Sequence, residues 1–242
     1  MRKSLIYVVL ALLAVLSPAT ARSESTKPAI PKLALSINYW SAELIKSYPT
    51  RSEQSDQHFF PVFIGSAHIK GKFSAIGEWG QSGFGGVTPE SVAGQKEKAS
   101  RTVFGLRFDA QPGIYYTLSY PIMKLNIDND AGIATTAKIT GAQLGMGIGT
   151  YIKEPHITTG GELNIVPDMG IKYTRAALWG KGKGPGIDIK YTIAYKFDNG
   201  SAAYIGYRYM MLDTGAATLG SYPAPKIKFR LRGPLVGFKY AF

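Results

Sequence analysis

The stretch Ile187-Asp188-Ile189-Lys190-Tyr191-Thr192-Ile193-Ala194-Tyr195-Lys196-Phe197 decides the fold. Its odd-numbered side chains are all apolar or aromatic, while the even positions hold Asp, Lys, Thr, Ala and Lys. A period of two marks an extended strand with two unlike faces. Asp198-Asn199-Gly200 follows as a tight-turn signal, and Ala203, Ile205, Tyr207, Tyr209 and Met211 repeat the pattern around Arg208. The pair reads as a β-hairpin.

Outward from this hairpin the same alternation recurs. Leu33, Leu35, Ile37 and Tyr39 share a face in Lys32 to Trp40, as do Phe104, Leu106 and Phe108 in Arg101 to Asp109, and Ile114, Tyr116, Leu118 and Tyr120 in Gly113 to Pro121. Phe59 to Ile69 and Phe73 to Trp79 form two strands around Lys70-Gly71-Lys72; Thr135 to Ile152 and Gly161 to Leu178 form two more around Lys153 to Gly160. In Lys226 to Phe242, the triplets Ile227, Phe229, Leu231 and Phe238, Tyr240, Phe242 are out of phase, which predicts a β-bulge near Gly233-Pro234. The period also slips in Thr135 to Gly141 and in Val166 to Leu178.

Connections sort by length. Short or moderate ones fall at Lys70 to Lys72, Ala110 to Gly113, Lys153 to Gly160 and Asp198 to Gly200. The alternate set is mostly longer: Ser41 to His58, Gly80 to Ser100, Met123 to Ala134, Gly180 to Pro185 and Asp213 to Pro225. Short turns on one rim and longer loops on the other predict an all-β, closed antiparallel up-and-down transmembrane barrel, of ten strands or, alternatively, eight.

Arg2 and Lys3, the apolar run Leu5 to Leu16 and the small residues Ala19-Thr20-Ala21 read as a secretory signal over 1–21, cleaved after Ala21. Residues 22–31, with two prolines among polar side chains, read as a flexible leader, leaving 32–242 for one barrel domain. With Arg2 and Lys3 removed from 28 basic residues against 16 acidic ones, the mature chain carries a formal +10. Cysteine is absent, which excludes disulfides, thiolate metal sites and a Cys-linked lipid anchor. No apolar run after the signal approaches the roughly 20 residues of a spanning helix, so a closed sheet is the remaining route across a bilayer. Fifteen Tyr and three Trp suit two membrane interfaces.

The ending Leu235-Val236-Gly237-Phe238-Lys239-Tyr240-Ala241-Phe242 resembles the last strand of the broad, porin-like class of Gram-negative outer-membrane barrels, which close on a terminal Phe. That resemblance implies location in the bacterial outer membrane and recognition of Phe238, Tyr240 and Phe242 by the barrel-assembly machinery. It brings no catalytic residue and no cofactor.

If the apolar face meets lipid, Arg101, Arg107, Lys172, Lys190, Lys196, Arg208, Lys226, Lys228, Arg230 and Arg232 face inward, against the acids Glu78, Asp109, Glu162 and Asp188. Two readings follow. One is a structural or surface-interaction barrel whose basic interior or rim binds anionic groups such as lipopolysaccharide; the other is a narrow anion-preferring pore. The ladder Lys226 to Arg232 also suits a rim position, and nucleic acid is not an expected partner. An outer-membrane hydrolase is the weaker alternative, resting on His58 beside Asp56 and Ser55, with His68 and His156 toward the short-turn rim; no enzyme activity is expected. Gly141, Gly145, Gly147 and Gly149 read as room for neighbouring inward side chains or as local bending of the strand. Gly180 to Gly186 reads as a mobile loop tip.

Overall fold

A computed structural model describes residues 32–47, 52–54, 57–85, 96–128, 134–151, 156–175, 178–215, 217–219, 222–224 and 227–242. The signal and leader segments, Asp56, Ser55 and Lys226 lie outside these. Ten long strands make the wall: β1 (Leu33–Ser47), β2 (His58–Lys70), β3 (Phe73–Gly85), β4 (Lys96–Gln111), β5 (Ile114–Asp128), β6 (in two pieces, Ala134–Thr140 and Gln143–Tyr151), β7 (Ile157–Arg175), β8 (Leu178–Lys196), β9 (Ala202–Asp213) and β10 (Lys228–Ala241). Each pairs antiparallel with its sequence neighbours, and β10 pairs back onto β1 from Ala34↔Ala241 to Ser47↔Lys228. The ring is closed with ten strands, not eight.

Three of the short turns have glycine at positive φ, Gly71 (60°), Gly113 (79°) and Gly200 (81°), where a side chain would be strained. Gly71 separates β2 from β3, so Phe59 to Trp79 is a hairpin. On the other rim the strands run further than alternation alone indicates, to Ser47, Gly85 and Asp128. Gly180 to Pro185 is not a loop tip: it lies inside β8, paired with β7 and, from Gly180 to Gly182, with the short strand Ala217–Leu219. At Gly184 a Cβ would stand 1.7 Å from the Asp213 carbonyl oxygen, so only glycine fits.

The polarity of the wall inverts partway along the strands. Toward the short turns, apolar side chains point out: Tyr39 is 54% and Val236 50% exposed. One residue further toward the long loops they point in: Trp40 is 2% and Leu235 4% exposed, directly opposite each other on β1 and β10. On β5, Tyr116, Leu118 and Tyr120 face out while Met123 and Leu125 face in; on β6, Leu144 faces out while Ala137 and Ile139 face in. The physical reason is a change of solvent. Within the bilayer the outer face must suit acyl chains, but where the barrel emerges into water its outside becomes polar and its apolar residues form a core.

This inversion corrects the expected bulge at Gly233-Pro234. Register is the same on either side of it against both β9 and β1, although the ladder with β1 skips Ser41 and Ala42 opposite Pro234 and Gly233, and the two out-of-phase triplets are inward above and outward below the change of solvent. A real irregularity lies in β7, where Gly186 pairs with Val166 but Gly184 with Met169, so Pro167 and Asp168 together oppose Pro185. Proline, lacking an N–H, is tolerated at such a site. The slip in Val166 to Leu178 is this bulge; the slip in Thr135 to Gly141 is the inversion.

Candidate functional site

Two layers of inward side chains occupy the lumen. Uppermost is a dry core built on Trp40, Leu44, Phe60, Met169, Ile171, Phe229 and Leu231, contributed from around the wall. Trp40 stacks obliquely on Phe60 with centroids 5.7 Å apart and donates its indole N–H to the Gly233 carbonyl at 3.2 Å. Its π face also meets the Arg208 guanidinium at 5.2 Å, joining this layer to the next.

Beneath lies a quartet of two arginines and two carboxylates. Glu78 (β3) and Arg101 (β4) come from one side of the wall, Asp188 (β8) and Arg208 (β9) from the other. Arg101 reaches Glu78 at 2.5 Å and Asp188 at 2.8 Å; Arg208 reaches Asp188 at 2.8 and 3.0 Å and Glu78 at 3.0 Å. Each arginine thus holds both acids, a brace across the lumen. A cavity of about 20 Å³ between quartet and core, bordered by Arg101, Gln143 and Met210, has room for about one water.

A second network continues toward the short turns. Lys190 Nζ is 2.7 Å from Glu162, which also accepts from Tyr115 at 3.2 Å and Asn164 at 2.9 Å. Thr117 donates to Asn164 at 3.3 Å, and Arg107 lies 3.8 Å over the Tyr115 ring while binding Asp109 at 2.5 Å. Glycine makes the room: a Cβ on Gly145 would stand 2.0 Å from Asn164 Oδ1, and one on Gly147 would stand 2.0 Å from Tyr115 Cζ. The glycine row of β6 therefore accommodates inward side chains, as its spacing predicts.

The ten basic candidates divide. Arg101, Arg107, Lys190, Lys196 and Arg208 do face the lumen, and the first two, Lys190 and Arg208 are matched by the four inward acids. The expected positive surplus is therefore reduced, and what remains of it sits away from the brace. Lys172, Lys228, Arg230 and Arg232 do not face inward: they share the outward parity of the upper wall, because the buried neighbours Phe229, Leu231 and Ile171 take the inner face. Arg232 is held at 2.8 Å by Glu43, its cross-strand partner. Lys239, missed by a reading that stopped the basic ladder at Arg232, faces the lower lumen together with Lys196.

The histidines do not assemble. His58 opens β2 at the long-loop rim, whereas His68 and His156 lie at the short-turn rim. His156 stacks on Tyr195 at 5.5 Å and its Nδ1 lies 3.1 Å from the Lys196 carbonyl. Phe238 and Tyr240 on β10 and Phe242 just past its end all face outward, ring against ring at 4.7 and 6.3 Å.

No family model matches the sequence, and neither does any curated protein. Among solved structures, the outer membrane protease OmpT from Escherichia coli superposes with a TM-score of 0.62 at 10% identity, over 92% of this chain and 100% of that one. The translocator domain of autotransporter NalP from Neisseria meningitidis gives 0.47 at 12% identity over 100% and 97%, and Neisserial surface protein A gives 0.43 at 9% over 87% and 97%. At such identities the likeness concerns fold alone, and the fold is that of a small bacterial outer-membrane β-barrel.

Proposed function

We propose that this chain is an integral protein of the bacterial outer membrane with a structural or surface-interaction role, its lumen shut and its contacts made by the long-loop rim and the basic upper wall. The observation that carries this reading is the Glu78–Arg101–Asp188–Arg208 brace lying beneath the dry core. An ion crossing would have to break charge-paired contacts and then enter an apolar layer, and both steps oppose conduction. Four of the inward cations, Arg101, Arg107, Lys190 and Arg208, are held by the four inward acids, which weakens the electrostatic basis for anion selectivity at the level of the brace. The role involves no catalytic step. Export with signal cleavage and insertion by the assembly machinery through the β10 aromatics belong to the same reading.

The test is the full mature chain in planar bilayers. The expected result is a baseline without reproducible single-channel steps from protein that migrates as folded. Steady steps with anion-selective reversal would overturn it in favour of the pore.

A further inference from the structure

Four lysines occupy one rung of the outer wall on four consecutive strands. Lys124 (β5) lies directly opposite Lys138 (β6), Lys138 opposite Lys172 (β7), and Lys172 opposite Lys181 (β8). All four side chains are exposed. At ~4.8 Å between strands the row spans ~14 Å. Like charges placed directly opposite each other destabilise a sheet, so the Lys124–Lys138 and Lys138–Lys172 pairs are a cost to the bare protein. Among the described residues no acid lies within ion-pair reach of Lys124, Lys138 or Lys172; the nearby Asp168 is engaged by Lys183 at 3.4 Å.

The rungs on either side tell what anion fits. Toward the membrane the adjoining rung is Ile122, Thr140, Gly170 and Lys183, and beyond it β5 turns out Tyr120 and Leu118, 47% and 55% exposed. Away from it, the next rung is Asn126, Thr136 and Thr174, with Thr136 donating to Asn126 at 3.1 Å. Along one strand the order is apolar, cationic, then amide and hydroxyl. A lipid whose acyl chains, phosphates and sugars follow in that order matches all three levels. We infer that the Lys124–Lys138–Lys172–Lys181 row is a docking site for the phosphate groups of a phosphorylated glycolipid, the lipopolysaccharide of the outer leaflet. This deepens the proposed surface role and rests on it only in taking the long-loop side as external.

The test uses the full folded chain in nanodiscs, titrated with rough-type lipopolysaccharide, the same lipid after enzymatic dephosphorylation, anionic phosphatidylglycerol vesicles and inorganic pyrophosphate. Lys124→Gln/Lys138→Gln/Lys172→Gln should weaken lipopolysaccharide binding by about tenfold or more, and the matching triple Lys→Arg variant should retain it. Dephosphorylation should weaken wild-type binding comparably, and rising salt should weaken it further. Wild-type affinity in the Gln variant, equal affinity for the dephosphorylated lipid, or equal competition by phosphatidylglycerol or pyrophosphate would overturn the inference. Should the triple variant fail to fold by heat-modifiable gel mobility, Lys138→Gln alone must still weaken binding by about threefold. A conducting lumen would refute the closed-barrel reading and leave this result untouched, so the two failures are distinguishable.

Discussion

Glu78 on β3 and Arg208 on β9 meet across the lumen at 3.0 Å, so two parts of the wall that are far apart around the ring are tied through its middle. Both side chains are nearly buried, and each has a second partner of opposite charge. Removing one member therefore leaves an uncompensated charge in a poorly solvated place.

Arg208→Met is expected to destabilise the folded barrel by about 3–5 kcal/mol, because Glu78 and Asp188 then face each other with only Arg101 between them. Urea unfolding in lipid vesicles measures this. Replacing Glu78 with Gln in the same chain should recover part of the loss, since one of the two stranded charges is removed with it; a purely steric role for Arg208 would give no recovery.

Phe229 is 1% exposed inside the upper core, whereas Phe104 is 55% exposed on the outer belt. Phe229→Ala should cost about 3–5 kcal/mol through lost burial and a residual cavity. Phe104→Ala, whose ring faces lipid, should cost clearly less in the same unfolding assay. Equal losses would mean that the upper lumen is not a packed core.

Gly147→Ala should displace the Tyr115 ring and weaken its bond to Glu162, lowering stability by about 1–3 kcal/mol. Gly161→Ala is the control, because a Cβ there meets only Ile148 Cγ1 at 3.8 Å. Thermal melting of the two variants should separate them.

Much of the wall was legible in the sequence where a strand keeps one environment along its length. Ile187 to Phe197 shows unbroken alternation because all of its odd positions face outward within the apolar belt. Lys226 to Phe242 was harder, because β10 crosses from water to lipid at Leu235 and Val236. An inversion of faces and a β-bulge then leave the same trace in the sequence, which is why Arg230 and Arg232 were expected inside. The pairings that close the lumen were not legible at all. Glu78 and Arg208 meet because of strand tilt and register around a closed ring, quantities that no local spacing encodes. The lysine row was hidden for a related reason: its members are scattered from residue 124 to 181 and become neighbours only through the register of four strands.

The two faces of the wall exchange polarity at Trp40 and Leu235. Since the chain contains no cysteine, single replacements report position directly. Leu231→Cys, Arg232→Cys and Val236→Cys, each folded in lipid vesicles, can be compared for reaction with a membrane-impermeant maleimide and for quenching of an attached probe by brominated lipid. The expected pattern is rapid aqueous labelling at 232, lipid quenching at 236, and neither at 231 until the barrel is unfolded. Aqueous labelling at 231 as fast as at 232 would contradict it.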